Sequence, residues 1–310
     1  MKIEVISPHG FCAGVTAALH KAQHLLAADY QLSTTNYQLP TVYCLHELVH
    51  NEIVVGELKR RGMKFVEKVE EIPEGATVLF SAHGVSPSVR ASADARNLKV
   101  VDATCPFVEK VHKAARDFAA KGLPVVVIGN PDHAEVRGIV GEVKSKGERV
   151  KSKGEKVKSA VVSGVVRGLD DAKRLKATLN DSKIGVVSQT TMNADEVKAI
   201  VEELKRDYEV ETMAEVCNAT KLRQDAVKEF SARHESEPGA ALLVLGSVNS
   251  SNTRRLCEVA ACAKVFRAGN LDEVKALDFT GVEILGVTSG ASTPESFFDE
   301  AIEYLKEVRT

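Results

Sequence analysis

Three cysteines stand in turns rather than in apolar runs, and their residue type and setting point to metal chemistry. Cys12 lies in Pro8-His9-Gly10-Phe11-Cys12-Ala13-Gly14, after the strand pattern Lys2–Ile6. Cys105 lies in Asp102-Ala103-Thr104-Cys105-Pro106, after the apolar run Leu98–Val101. Cys217 follows a helical pattern that ends near Tyr208 and opens another, Thr220–Ser231. In open α/β folds, sites gather at the carboxyl ends of strands and the amino ends of helices. The helix dipole favours a thiolate there. Thiolates at turns suit zinc or an iron–sulfur cluster. No CxxC pair occurs, which argues against a zinc ribbon. Three such cysteines without an obvious fourth leave an open coordination position, as catalytic metal sites do. Taken singly, a cysteine is more often a small buried hydrophobe. Cys44, alternating within a strand, fits that description. So do Cys257 and Cys262, read as lying on a helix among Ala, Val and Leu.

Polar loops supply the other candidates. His50, His83 and His133 each follow a strand, in Leu48-Val49-His50-Asn51, Ser81-Ala82-His83-Gly84 and Pro131-Asp132-His133-Ala134. With Thr190, Ser250, Ser251, Asn252 and Ser292 they form a set rich in neutral donors and poor in Lys and Arg. Such a set suits a phosphate or diphosphate held by many hydrogen bonds and by helix amino ends. Glu135, two residues after His133, is a candidate proton source if burial raises its pKa. Thr190 is placed to orient a hydroxyl or relay a proton. Asp102 and Gln189 stand behind these as supporting residues.

The elements that must position them alternate strand and helix throughout. Buried parallel strands are expected at Ile3–Ile6, Thr41–Leu45, Thr77–Phe80, Val100–Asp102, Val125–Ile128, Ile184–Val187, Ala241–Leu245 and Glu283–Val287. Helical patterns fall between them, the βαβ signature of parallel sheets covered by helices. A three-part repeat shows through, each part running cysteine, polar loop, polar loop. The expected architecture is α/β, three similar units with parallel-rich sheets arranged as a trefoil around a central cavity. The units are expected at 1–104, 105–216 and 217–310. One segment is foreign to this plan: Val143–Lys158 repeats VKSKGER, VKSKGEK, and reads as a Lys-rich solvated insertion.

Composition sets the outer bounds. The chain has 310 residues, 44% hydrophobic and 27% charged, ordinary for a globular protein. Trp is absent and aromatics make up 5%, so the core must be Val, Leu, Ile and Ala. A net charge of -2 gives no reason to expect nucleic acid. No run approaches a membrane span of ~18 apolar residues. The first strand pattern starts at Lys2, so no export signal is expected, and six cysteines then suit a reducing cytoplasm.

Taken together, GFCAGV at Gly10–Val15, LVHN, SAHGVS, DATCP, the HAEV loop, SQTT, the Cys217 turn, GSVNSSN and TSGAS resemble one family, in order and over nearly the whole chain. It is the 4-hydroxy-3-methylbut-2-enyl diphosphate reductase family, of LytB type. The resemblance implies a 4Fe–4S cluster held by Cys12, Cys105 and Cys217, with the fourth iron open to the substrate's allylic oxygen. It implies a diphosphate site at His50, His83, His133, Thr190, Ser250, Ser251, Asn252 and Ser292, with Glu135 as proton donor and Thr190 beside it. It implies a two-electron, two-proton reductive dehydroxylation, the last step of the non-mevalonate isoprenoid pathway. The products would be isopentenyl and dimethylallyl diphosphate, with ferredoxin or flavodoxin as electron donor. The family pattern carries Arg where His9 stands, an acidic–basic pair where Thr16 and Ala17 stand, and Pro where Ala134 stands. Two other readings of the same cysteines are a zinc enzyme acting on a phosphorylated metabolite and a non-catalytic iron–sulfur sensor.

Overall fold

The structure, a computed structural model, describes residues 1–32, 41–149 and 162–308. In chain order the elements are β1 (Lys2–Val5), α1 (Ala13–Leu32), β2 (Val42–Leu45), α2 (Glu52–Arg60), β3 (Lys64–Val66), β4 (Thr77–Phe80), α3 (Pro87–Ala95), β5 (Lys99–Asp102), α4 (Pro106–Ala120), β6 (Val125–Ile128) and α5 (Ala134–Arg149). There follow β7 (Val162–Val166), α6 (Leu169–Leu175), β8 (Lys183–Ser188), α7 (Ala194–Leu204), β9 (Glu209–Met213), α8 (Asn218–Arg233), β10 (Ala240–Leu245), α9 (Ser251–Val259), β11 (Lys264–Ala268), α10 (Leu271–Lys275), β12 (Ile284–Ser289) and α11 (Glu295–Glu307).

The strands form three four-stranded sheets, ordered β3-β2-β4-β5, β7-β6-β8-β9 and β11-β10-β12-β1. Every pairing is parallel. The three orders are the same. The first strand of each sheet pairs its successor on one side and the third strand on the other. The fourth strand then lies outside the third. That fourth strand is β5, β9 or β1, and it runs into the turn of Cys105, Cys217 or Cys12 respectively. The repeat therefore closes on itself, with the first strand of the chain completing the last sheet. Units numbered in sequence order, 1–104, 105–216 and 217–310, part β1 from its partners. Compact packing groups Met1–Thr16, Val49–Arg60 and Cys217–Thr310 in one unit, and Ala17–Leu48 with Arg61–Val216 in the other.

The central strands explain the register. Val125–Ile128 and Ala240–Leu245 are buried at every residue. Each fully buried Val or Leu contributes roughly 1.5–3 kcal/mol relative to exposure, so a one-residue slip would be costly. Phe230, Val227 and Leu256 pack on one face of the third sheet, and Phe297, Phe298 and Leu305 on the other. The polar loops leave the carboxyl ends of the two central strands of each sheet, where the strand order reverses. That switch point is where open parallel sheets bind ligands. Among the described residues no helix is long and apolar enough to cross a membrane.

Candidate active site

In the unit that holds the first two sheets, β4, β6 and β8 each end on a candidate. His83 follows β4, His133 follows β6, and Gln189 and Thr190 follow β8. Gly84 sits at φ +75°, and a Cβ there would come within 3.1 Å of the His112 ring, so the turn after His83 needs glycine. The His83 and His133 rings meet edge to face at 5.5 Å. Glu135 lies in the first turn of α5 and is 1% exposed. Its Oε1 accepts from the Thr190 N–H at 2.7 Å and its Oε2 from the Thr190 hydroxyl at 3.1 Å. Burial pushes its pKa up to about 7, against the pull of the two Thr190 donors. The Glu135 N–H donates to His133 Nδ1 at 3.2 Å, so that nitrogen carries no proton and Nε2 carries the ring's hydrogen. Gln189 Oε1 accepts from the Asn130 N–H, bracing the His133 loop against β8. Ala134, where the family pattern has proline, is the first residue of α5, a position where both residue types start a helix.

Cys105 is the N-cap of α4. Behind it, Asp102 accepts from the Thr104 N–H at 2.8 Å and pairs with Arg90 at 2.6 Å. Burial raises the Asp102 pKa, but the Thr104 and Arg90 donors outweigh it and hold the carboxyl below its ordinary value.

In the unit that holds the third sheet, Cys217 is the N-cap of α8, and its sulfur accepts from the Thr220 N–H at 3.4 Å. Cys12 stands immediately before α1, its carbonyl accepting from the Thr16 N–H at 2.9 Å. The Cys12 turn is pinned from three sides. The Cys12 N–H donates to Ala291 O, the Gly10 N–H to Ser289 Oγ, and Arg223 Nη2 to Gly10 O at 2.8 Å. Arg223 is 4% exposed. Burial lowers its pKa, while the nearby thiols of Cys12 and Cys217, when ionised, raise it. His9, where the family pattern has Arg, stacks on Phe298 at 3.9 Å, with Nδ1 3.3 Å from Glu295. Ser250 caps α9, its hydroxyl accepting from the Thr253 N–H, so Ser250, Ser251 and Asn252 ring the amino end of that helix. All three are buried. Ser292 donates to His50 O at 3.1 Å.

No disulfide joins the six cysteines. Cys44 is wholly buried and its pKa is raised by that burial, and burial pushes the Cys257 thiol up to about 11. Both match the packing role expected of them. Cys262 lies beyond the end of α9 rather than on a helix. Cys12, Cys105 and Cys217 are half-buried, each at a helix amino end. Thiols at such turns are of the donor type that iron–sulfur clusters take.

The reading of the insertion changes as well. Val143–Arg149, read as the start of a solvated insertion, is the last part of α5, and Val143 is fully buried among Val111, Ala115 and Val136. The rest of that segment, residues 150–158, lies outside the described residues. Thr220 and Arg223 drew no attention as site residues. Thr220 had a signal in its spacing, since the position three after Cys217 lies on its side of α8; Arg223 had none.

Residues 3–306 match the family described as LytB protein. A protein of Nitrosomonas europaea named 4-hydroxy-3-methylbut-2-enyl diphosphate reductase is 37% identical, over 99% of this chain and 88% of its own. The protein of that name from Vibrio parahaemolyticus is 38% identical, over 99% and 90%. Among solved structures, the E-1-hydroxy-2-methyl-but-2-enyl-4-diphosphate reductase of Plasmodium falciparum aligns with a TM-score of 0.81 at 28% identity, covering 98% of this chain and 87% of that one. A second, titled (E)-4-hydroxy-3-methyl-but-2-enyl diphosphate reductase, the terminal enzyme of the non-mevalonate pathway, aligns at 0.64 with 30% identity, covering 99% of both.

Proposed function

Since the chain belongs to the LytB family, we propose that it is an iron–sulfur reductase. Its substrate is 4-hydroxy-3-methylbut-2-enyl diphosphate, and its products are isopentenyl and dimethylallyl diphosphate. The allylic C–O bond breaks, two electrons and one proton enter the carbon skeleton, and the second proton leaves with the hydroxyl as water. The observation that carries this reading is Glu135, a buried carboxyl with a pKa of about 7 and neutral partners, set beside His133.

Cys12, Cys105 and Cys217 would supply the three thiolates of a 4Fe–4S cluster. When bound, the cluster supplies the electrons, drawn from a ferredoxin or flavodoxin, and a Lewis-acidic iron for the allylic oxygen. The chain's own residues do the rest. Glu135 is protonated over much of the range near neutral pH and can donate to the departing oxygen or to carbon. Thr190 fixes the carboxyl with two hydrogen bonds, so that its orientation is set before substrate arrives. His133 offers Nε2–H to a phosphate oxygen, and His50 and His83 are assigned to the same group. Ser250, Ser251 and Asn252 add hydroxyls, an amide and the positive end of α9, and Ser292 is assigned to the same group. The diphosphate is remote from the breaking bond, so its binding positions the alcohol without reacting. Such thiolates suit the reducing cytoplasm.

The test begins with protein purified without oxygen. Iron, acid-labile sulfide and the visible spectrum are measured, and then reduction of the allylic diphosphate is assayed with a low-potential donor. About four iron and four sulfide per chain, a broad brown absorption and formation of both products are expected. Stoichiometric zinc without sulfide, or a full cluster with no product, would overturn the reading.

A further inference from the structure

Thr220 stands in the first turn of α8, three residues after Cys217, and is 1% exposed. Its hydroxyl oxygen lies 3.1 Å from Cys217 Sγ. The same oxygen accepts from Asn252 Nδ2 at 3.1 Å. A threonine hydroxyl has one proton. As a cluster ligand Cys217 is a thiolate with no proton to give, so the Thr220 hydroxyl donates to the sulfur while its oxygen receives the Asn252 amide proton. The donors therefore run one way, from Asn252 through Thr220 to Cys217, and the Thr220 N–H adds a second bond to that sulfur. At the far end, Asn252 Oδ1 is buried with no hydrogen-bond partner among the described residues. An unmet buried acceptor is costly, and a ligand hydroxyl or a protonated phosphate oxygen would satisfy it.

We propose that Thr220 is a positioning residue that couples ligand engagement at Asn252 to the electron density on the Cys217 thiolate. The inference rests on the cluster and substrate assignments made above. Hydrogen bonds to ligand sulfurs are among the features that set cluster potentials. A donor withdraws charge from the thiolate and makes reduction easier. Bonds in a chain polarise one another, so a donor arriving at Asn252 Oδ1 strengthens the amide N–H as a donor to Thr220, and through it the bond to sulfur.

The experiment is a double-variant cycle on anaerobically reconstituted protein. Iron and sulfide are counted, and the midpoint potential is read by an EPR-monitored titration. Thr220→Val removes the hydroxyl at nearly constant shape and is expected to keep the full cluster while shifting the potential lower. Thr220→Ser is expected to restore the wild-type value. Asn252→Ala, which leaves the hydroxyl free to turn, is expected to shift the potential the same way by less. The double variant is expected to lie no lower than Thr220→Val alone, because the two changes act on one chain. A wild-type potential in Thr220→Val overturns the contact, and strictly additive shifts overturn the coupling. Should Thr220→Val lose its cluster while Thr220→Ser keeps it, the contact is supported. Asn252→Ala alone then decides the coupling, which a wild-type potential would overturn. Wild-type protein that takes up no iron and sulfide defeats the functional reading itself, a result distinct from all of these.

Discussion

Glu135 and Glu142 lie two turns apart on α5, are 1% and 2% exposed, and belong to the same compact unit, yet their surroundings differ in kind. Glu142 faces a guanidinium and an imidazole: Arg116 Nη1 lies 2.8 Å from its Oε1 and His112 Nδ1 3.1 Å from the same oxygen. Burial lowers the Arg116 pKa, but Glu109 and Glu142 outweigh it and raise the guanidinium above its ordinary value. Among the described residues, the Glu135 carboxylate has only the amide and hydroxyl of Thr190. The contrast separates two uses of a buried acid. One is part of a clamp with Arg116 and the His112 ring, which packs between Gly84 and Gly138. The other is denied a cation, so its proton stays within reach of neutral pH.

The largest test of that contrast is Glu135→Gln. Turnover is expected to fall by about 10²–10⁴, with iron and sulfide contents unchanged. Wild-type turnover would remove Glu135 from the proton path. Next, Arg116→Met takes away the guanidinium that matches Glu142. Arg116 is partly exposed and Glu142 buried, so leaving that carboxyl without the guanidinium costs on the order of 1–3 kcal/mol, which a denaturant midpoint would show, while the folded protein keeps its turnover. A midpoint equal to wild type would mean that Glu142 does not depend on Arg116.

The pH dependence follows from the sign of the Glu135 shift. Its folded pKa of about 7 stands above its ordinary 4.5. Between those values the folded chain holds a proton that the unfolded chain has lost. The Glu135 contribution to stability is thus highest below pH 4.5 and declines as pH rises through about 7. Wild type is therefore expected to lose on the order of 3 kcal/mol across that window relative to Glu135→Gln. Parallel stability curves for the two proteins would refute the shift. Activity that requires the protonated acid is expected to fall as pH rises past about 7. The smallest effect sharpens the same point. Thr190→Val removes one donor to the carboxylate and should move that falling limb upward by less than about one pH unit, whereas Thr190→Ser should leave it in place.

The sequence showed the centre of each sheet more clearly than its rim. Val125–Ile128 and Ala241–Leu245 read as strands because both faces are covered and nearly every residue is apolar. The strands missed, β3, β7, β9 and β11, are all edges. Lys64-Phe65-Val66 and Glu209-Val210-Glu211-Thr212-Met213 alternate with water-facing residues and are short, so they pass for loop. Helix α5 was missed because the Lys-rich repeat beginning at Val143 masked its apolar face, although Val136, Ile139 and Val143 keep the helical spacing. Motif residues such as Glu135, Thr190 and Asn252 stood out because polar turns after strands have few packing explanations. Thr220, Arg223 and His112 sit inside helical patterns, where a polar residue reads as solvent-facing until its burial is known.

The pairing of β1 with β12 joins residues 2–5 to residues 284–287. On a ribosome adding about 5–20 residues per second, the partner of the first strand emerges tens of seconds after that strand does. The sheets β2–β5 and β6–β9 draw only on chain already made by then. The turn around Cys12, which leans on Ser289 and Ala291, has nothing to fold against until nearly the whole protein has been translated. For the cluster proposed above, uptake would then follow synthesis, and a chain stalled short of β12 would present Cys12 on a loose end rather than in its pinned turn.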